Sequence, residues 1–137
     1  MDYEAFTQSL MTDLRANGRP TSGPMAGRPL MILTTTGAKS GRARQAVITY
    51  TRDGERYVVA ATASGSPTHP DWYHNLKAHP EVIIEADGEK FRARAVEAVG
   101  SERDRLYTQH ASERPEFRDY PGMVTRTIPV FTLERID

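Results

Sequence analysis

The chain has 137 residues, of which 38% are apolar and 26% charged, and its 18 Lys and Arg balance 18 Asp and Glu. That length and composition suit one globular unit with a real core and exclude a disordered chain. The absence of cysteine excludes disulfides, iron–sulfur clusters, thiolate zinc sites and cysteine nucleophiles, and zero net charge argues against general nucleic-acid binding.

No apolar run approaches membrane-spanning length, and the acidic start Met1-Asp2-Tyr3-Glu4 is unlike a signal peptide, so a cytoplasmic protein is expected. Phe6, Leu10 and Leu14 fall four apart, which predicts an amphipathic helix over 2–17, stopped by Gly18 and Pro20. Residues 20–29 carry two Gly and three Pro and read as a loop. From there the period changes to two. Strands are predicted over 30–36, 46–52 and 55–63, the last two joined at the hairpin signal Asp53-Gly54. Pro70 at a first helical position and Pro80 beyond the end bracket a short helix. A second hairpin follows, with 82–86 and 89–99 joined at Asp87-Gly88. Ser101 with Asp104 forms a capping-box-like start for a helix over 102–113, a further short helix is expected over 115–124, and a last strand over 127–136. Pro129 within that strand predicts an edge or a bulge. Six mostly antiparallel strands with an N-terminal helix and inserted short helices make an α+β domain on a β-barrel or curled sheet. The expected division is 1–25, helix and linker, packed on a barrel of 26–137.

Charge is spread unevenly over these elements. Between Leu14 and Arg52 there is no acid, but there are seven bases: Arg15, Arg19, Arg28, Lys39, Arg42, Arg44 and Arg52, which leaves 18 acids against 11 bases elsewhere. A field of one sign within a neutral protein suits an anionic partner. Its densest point is the turn over 37–41, where Gly37 and Gly41 allow close backbone approach, Ser40 and the preceding threonines add hydroxyls, and consecutive N–H groups can form an anion nest. A solvated hairpin with ordinary basic decoration accounts for these residues equally well. A nucleotide P-loop does not, because Leu33 and Ala38 stand where its glycines are needed and no G-x-G-x-x-G occurs.

Other constellations are weaker. His69, His74 and His79 recur every five residues, which spreads them round a helix and does not build a metal site. Glu81 and Glu85 fall on a strand and read as solvent-facing, and no G-x-S-x-G elbow supports hydrolase chemistry. Trp72, the only Trp, follows a loop over 64–70 and is a candidate pocket wall as well as a core residue.

Two segments together carry a family resemblance. Leu33-Thr34-Thr35-Thr36-Gly37-Ala38-Lys39-Ser40-Gly41-Arg42-Ala43-Arg44 after an apolar strand, followed by His69-Pro70-Asp71-Trp72-Tyr73-His74-Asn75-Leu76-Lys77-Ala78-His79-Pro80, resembles the deazaflavin-dependent nitroreductase family over about 26–136. The resemblance implies an FMN-binding-like split β-barrel and coenzyme F-420, an 8-hydroxy-5-deazaflavin with a phospholactate and oligoglutamate tail. By position it implies that Lys39, Ser40 and Arg44, with Gly41 in the same turn, meet the anionic tail. Thr49, Ala60, Thr62 and Ala63 would lie along the deazaflavin, walled by Trp72 and Asn75. Arg42 is not a fixed basic position in the family.

The resemblance also implies hydride transfer from the reduced cofactor, for which no side-chain nucleophile is required. Ala63 stands where some members place Lys, and Arg114, Phe117 and Tyr120 stand where certain nitroreducing members carry three tyrosines. Tyr120 is thus left as the candidate catalytic residue, as proton donor or π-face. Quinones and enones or other activated C=C bonds become the expected acceptors, ahead of nitroaromatics. The alternatives are a deazaflavin carrier without turnover and an FMN enzyme of the same barrel, although a single phosphate gives less reason for so wide a cationic strip. The expected partners are a small-molecule hydride acceptor and no nucleic acid, in a monomer or homodimer. Contact of the N-terminal helix with a membrane, to reach a quinone, is open but not required.

Overall fold

One extended segment of the chain forms both edges of the sheet. The computed structural model describes residues 3–23 and 25–137, so Asp2 of the expected helix and Pro24 of the expected loop lie outside the described residues. Helix α1 (Tyr3–Asn17) is followed by strands β1 (Leu30–Thr36), β2 (Ala43–Thr49), β3 (Thr51–Asp53) and β4 (Arg56–Ala60), and a 3-10 turn, Ala63–Gly65, leads to α2 (Asp71–Ala78). Then come β5 (Glu81–Ala86), β6 (Glu89–Glu97), α3 (Gly100–Glu113), a second 3-10 turn (Pro115–Arg118), the single turn α4 (Tyr120–Met123) and β7 (Val130–Arg135). The sheet order is β2-β1-β5-β6-β7-β4-β3, and every pairing is antiparallel. Its edge strands β2 and β3 are separated in sequence by Tyr50 alone. The first part of this segment pairs with β1 and the last with β4, so the sheet curls on itself into a split barrel.

Tyr50 is pinned at the break. Its N–H donates to the Pro29 carbonyl at 3.2 Å, and its buried hydroxyl donates to the Asp87 carboxylate at 2.8 Å. Burial, then the Asp87 bond, pushes this phenol's pKa well up. The expected strand over 46–52 is therefore two strands, starting three residues earlier and broken at Tyr50, and the sheet has seven strands.

Period-two alternation sorts the core. Met31 and Leu33 of β1, Tyr57 and Val59 of β4, Phe91, Ala93 and Ala95 of β6, and Phe131 and Leu133 of β7 fill the barrel. Alternate residues face outward under helices. Leu30 and Ile32 meet Met11 and Leu14 of α1, while Val58, Ala60 and Val130 meet Leu106, Tyr107 and Ala111 of α3. Each fully buried Leu or Phe contributes about 1.5–3 kcal/mol. Helix α2 closes one barrel end, with Leu76 buried and the Trp72 and Tyr73 rings edge-on to Phe131 at 6.3 and 5.9 Å.

Several expected boundaries move. Pro70 is the N-cap of α2 and not its first helical residue. Val99 is the N-cap of α3, without a side-chain bond; Ser101 lies inside the helix, and Asp104 pairs with Arg103. Strand β4 ends at Ala60, which leaves Thr62 as the N-cap and Ala63 as the first residue of the 3-10 turn, both outside the expected strand. Pro129 precedes β7, an interior strand between β6 and β4, so it removes no ladder bond and marks neither an edge nor a bulge. No helix among the described residues is long and apolar enough to cross a membrane.

His110 of α3 is fully buried, hydrogen-bonded through Nδ1 to the Thr51 hydroxyl at 2.7 Å. Burial, then the nearby Arg114, lowers its pKa to about 4. An unfolded histidine, near 6.5, takes up its proton first, so stability from this group is complete above about pH 6.5. It is lost as pH falls towards 4, by up to about 1.4 kcal/mol per pH unit. Urea midpoints of the wild type should fall across that window and those of His110→Gln should fall less; parallel curves would contradict this assignment.

Candidate active site

Because β2 has a neighbour on one side only, half of its backbone polar groups are free. Tyr50 N–H donates to Pro29 O and Gly37 N–H to Arg42 O, so the close hydrogen-bonded pairs are Met31 with Ile48, Leu33 with Ala46, and Thr35 with Arg44. The N–H and C=O groups of Gln45, Val47 and Thr49 therefore point away from β1, along the open edge. Two cavities lie along this edge. They share Gln45, Ala46 and Trp72 as walls and so form one groove.

The first cavity, about 640 Å³, is the cationic one, with Lys39 and Ser40 of the β1–β2 turn and Arg44 at the start of β2 facing Trp72, His74 and Asn75 of α2. The turn is tightly built. Gly37 N–H donates to Arg42 O at 2.7 Å, Gly41 N–H to Gly37 O at 2.9 Å, and Arg42 N–H to Ser40 Oγ at 3.2 Å. A Cβ on Gly37 would stand 2.5 Å from Ser40 Oγ, and Gly41 has φ +69. Asn75 fixes this turn to α2: its Oδ1 accepts from Ala38 N–H at 2.9 Å, and its Nδ2 donates to Thr35 Oγ1 at 3.0 Å. Of the expected nest, the Lys39 and Ser40 N–H groups remain without an internal acceptor among the described residues.

The cationic strip is trimmed by remote acids. Arg15 pairs with Glu85 at 3.0 Å, Arg19 with Asp87 at 3.7 Å and Arg28 with Glu116 at 3.5 Å, while Arg52 lies over the Tyr57 ring at 4.1 Å. Lys39, Arg42 and Arg44 have no carboxylate partner among the described residues. Positive charge is thus concentrated at the turn. Asp71, in the first turn of α2, also borders the cavity, where it complements the helix dipole.

The second cavity, about 560 Å³, is mostly apolar. Val47, Ile48 and Thr49 run along one side, with Ala60, Thr62 and Ala63 at one end and Phe6 and Leu10 of α1 as a roof. Phe117 and Tyr120 form the remaining wall, their rings edge-on at 5.3 Å. Tyr107 Oη donates to Phe117 O at 2.7 Å, which fixes this wall to α3. The Arg28–Glu116 pair joins the loop after α1 to the wall segment and supplies the cavity's charged groups.

Of the residues expected from sequence, Lys39, Ser40, Arg44 and Asn75 border the cationic cavity, and Thr49, Ala60, Thr62, Ala63 and Tyr120 the apolar one. Trp72 borders both. Gly41 borders neither and shapes the turn, and Asn75 is buried with its amide engaged by Ala38 and Thr35. Among the described residues no group of three or more His, Asp or Glu side chains is placed to hold a metal ion. Sequence reading missed the roof residues Phe6 and Leu10, whose apolar spacing signals packing alone. It also missed Arg28 and Glu116, which lie 88 residues apart with no local signal joining them.

Comparison with known proteins identifies the family. The family profile described as F420H(2)-dependent quinone reductase matches residues 8–135. An F420H(2)-dependent quinone reductase of Mycobacterium tuberculosis (strain ATCC 25618 / H37Rv) is 35% identical over 122 residues, covering 87% of this chain and 82% of that protein. Among solved structures, an F420-H2 dependent reductase, FDR-A, is 34% identical with a TM-score of 0.72, over 78% of this chain and 95% of its own. A structure described as a domain-swapped dimer is 29% identical with a TM-score of 0.74, over 98% of this chain and all of its own. The chain belongs to the F420H(2)-dependent quinone reductase family, an oxidoreductase family whose cofactor is coenzyme F-420.

Asn75→Ala would leave the Ala38 N–H without its acceptor and remove a partner of the buried Thr35 hydroxyl. We expect a loss of about 1–3 kcal/mol in urea unfolding. Unchanged stability would show that the amide does not hold the turn.

Proposed function

We propose that this chain reduces a small quinone with a hydride from reduced F-420, holding the cofactor along the open edge of β2. The observation that carries this reading is the continuity of the groove: two cations, Lys39 and Arg44, with no carboxylate partner among the described residues, stand at one end, which runs into an apolar cavity at the other. A polyanionic tail joined to a flat ring has that same division of charge. Charge-assisted bonds from Lys39 and Arg44, with the Lys39 and Ser40 N–H groups, suit the phosphate and glutamate oxygens. Along the edge, the N–H and C=O groups of Val47 and Thr49 complement the alternating carbonyl and N–H groups of a deazaflavin pyrimidine ring.

Bound F-420 supplies the hydride; the protein's residues orient, shelter and complete the transfer. Trp72, with its ring against the core residue Phe131, gives the groove a firm wall where its two halves meet. Phe6 and Leu10 exclude water from above, so we read the N-terminal segment as part of the working unit and not as a membrane anchor. Phe117 and Tyr120 face the acceptor's space. The Tyr120 hydroxyl is our candidate proton donor to the reduced oxygen, and Arg28 and Glu116 line its polar mouth. The structure described as a domain-swapped dimer supports a homodimer as the solution state to test.

Lys39→Ala and Arg44→Ala should each raise the F-420 dissociation constant about tenfold, since a charge-assisted bond contributes about 1.5–3 kcal/mol. Fluorescence titration checks this, and wild-type affinity should fall as salt rises. Binding of FMN in preference to F-420 would overturn the reading. With reduced F-420 and menadione, Tyr120→Phe should lower kcat by at least about tenfold if the phenol donates the proton. Unchanged kcat would assign Tyr120 to packing, and no wild-type turnover would leave a carrier.

A further inference from the structure

Residues 61–69, which carry Thr62 and Ala63 to the ring end of the groove, turn the chain from β4 into α2. Two of them are left-handed, Gly65 at φ +82 and Ala63 at φ +48. Left-handed backbone is disfavoured for alanine, and it persists where the surroundings over-determine it. The packing is close as well, since a Cβ on Gly65 would stand 2.7 Å from Met123 Sδ.

Arg126, half-buried on the segment before β7, supplies the constraint. Its Nε and Nη2 donate to Ser66 O at 3.2 and 3.1 Å, Nη2 also to Thr62 O at 3.0 Å, and Nη1 to Ala61 O at 3.1 Å. Nη1 also meets His69 Nδ1 at 2.9 Å. These five contacts engage all five N–H protons of the guanidinium, and no carboxylate pairs with it among the described residues.

Because a guanidinium only donates, His69 Nδ1 must be an acceptor, and the ring is the neutral tautomer with its proton on Nε2. A second proton would turn Nδ1 into a donor aimed at a cation. Around this ring stand Tyr73, stacked at 4.2 Å, and His74 at 6.1 Å, both on α2. Glu97 at the end of β6 and Arg103 and Asp104 of α3 border the same hollow of about 510 Å³. Burial first, then Arg126 and His74, lower the His69 pKa, with Glu97 opposing.

We propose that Arg126 is a positioning residue for the ring end of the cofactor groove, and that neutral His69 makes its hold proton-sensitive. Acid then loosens residues 61–66 and weakens F-420 binding without any change in the groove's own residues. The proposal rests on the reading that Thr62 and Ala63 border the deazaflavin.

The test compares wild type, Arg126→Gln and His69→Gln, whose amide oxygen can accept from Arg126 but takes up no proton in this range. Two quantities are read between pH 8 and 5: amide hydrogen exchange of 61–69 in the cofactor-free protein, taken relative to the intrinsic rate of an unprotected amide at each pH, and F-420 affinity by fluorescence. At pH 8, Arg126→Gln should speed exchange in this segment about tenfold and raise the dissociation constant about tenfold. Lowering the pH should reproduce both changes in wild type and neither in His69→Gln. The cofactor's acid groups titrate against both proteins, so the difference between their curves isolates His69. Wild-type exchange and affinity in Arg126→Gln, or wild-type and His69→Gln curves that stay parallel to pH 5, would overturn the proposal. Should Arg126→Gln unfold, the second comparison decides. Failure of wild type to bind F-420 at pH 8 would overturn the cofactor reading instead, and the exchange data would still judge Arg126.

Discussion

At Tyr50 one strand leaves β1 and takes up β4, and the groove follows from that change of partner. A strand that paired with both along its whole length would close the barrel and leave no backbone group unclaimed. Here the first half of the segment, β2, keeps a free edge, and the N–H and C=O groups of Gln45, Val47 and Thr49 point into open space. An exposed edge is ordinarily a liability, because it can template pairing with another chain. In this chain α2, the 61–69 loop and the α1 roof surround it, so the edge becomes the floor of a site. The Tyr50 hydroxyl on Asp87 and its N–H on Pro29 O fix where the break falls.

Electrostatics then divides the groove. Acids drawn from β5, the β5–β6 hairpin and the second 3-10 turn neutralise Arg15, Arg19 and Arg28, each at long sequence separation. Lys39, Arg42 and Arg44 are left at the turn, with the Asn75 amide holding that turn against α2. Exposed ion pairs contribute little to stability, and their effect here is to confine the positive field to one end of the groove.

Much of this was legible in the residues. The apolar runs in 30–33 and 57–61 and the alternation of Phe91, Ala93 and Ala95 with Lys90, Arg92 and Arg94 identified barrel strands, and Asp53-Gly54 and Asp87-Gly88 placed both hairpins, because those turns demand particular residues. The resemblance carried by the turn motif and the Trp72 segment named the family and its cofactor. The break at Tyr50 was not legible: Val47 to Arg52 alternates without interruption, and only the pairing of its neighbours reveals two strands. Pro129 misled because a proline beside an interior strand and one within an edge strand look alike in sequence. Arg28 with Glu116, and Arg126 with the 61–69 carbonyls, are contacts across 60 residues or more, for which one sequence offers no signal. The same holds for Asn75: its motif marks the site, but its side-chain hydrogen bonds to Ala38 and Thr35, which join α2 to the turn, have no signal in the sequence.

On the proposed reading, one groove holds a polyanionic tail at its cationic end and a flat ring along a strand edge. The most direct test compares the affinity of complete F-420 with that of the deazaflavin fragment lacking the phosphate and glutamate tail. At low ionic strength the complete cofactor should bind at least about tenfold more tightly. That advantage should shrink with added salt and disappear in the Lys39→Ala, Arg44→Ala double variant. Equal affinity of the two ligands for the wild-type protein would contradict the assignment of the cationic turn.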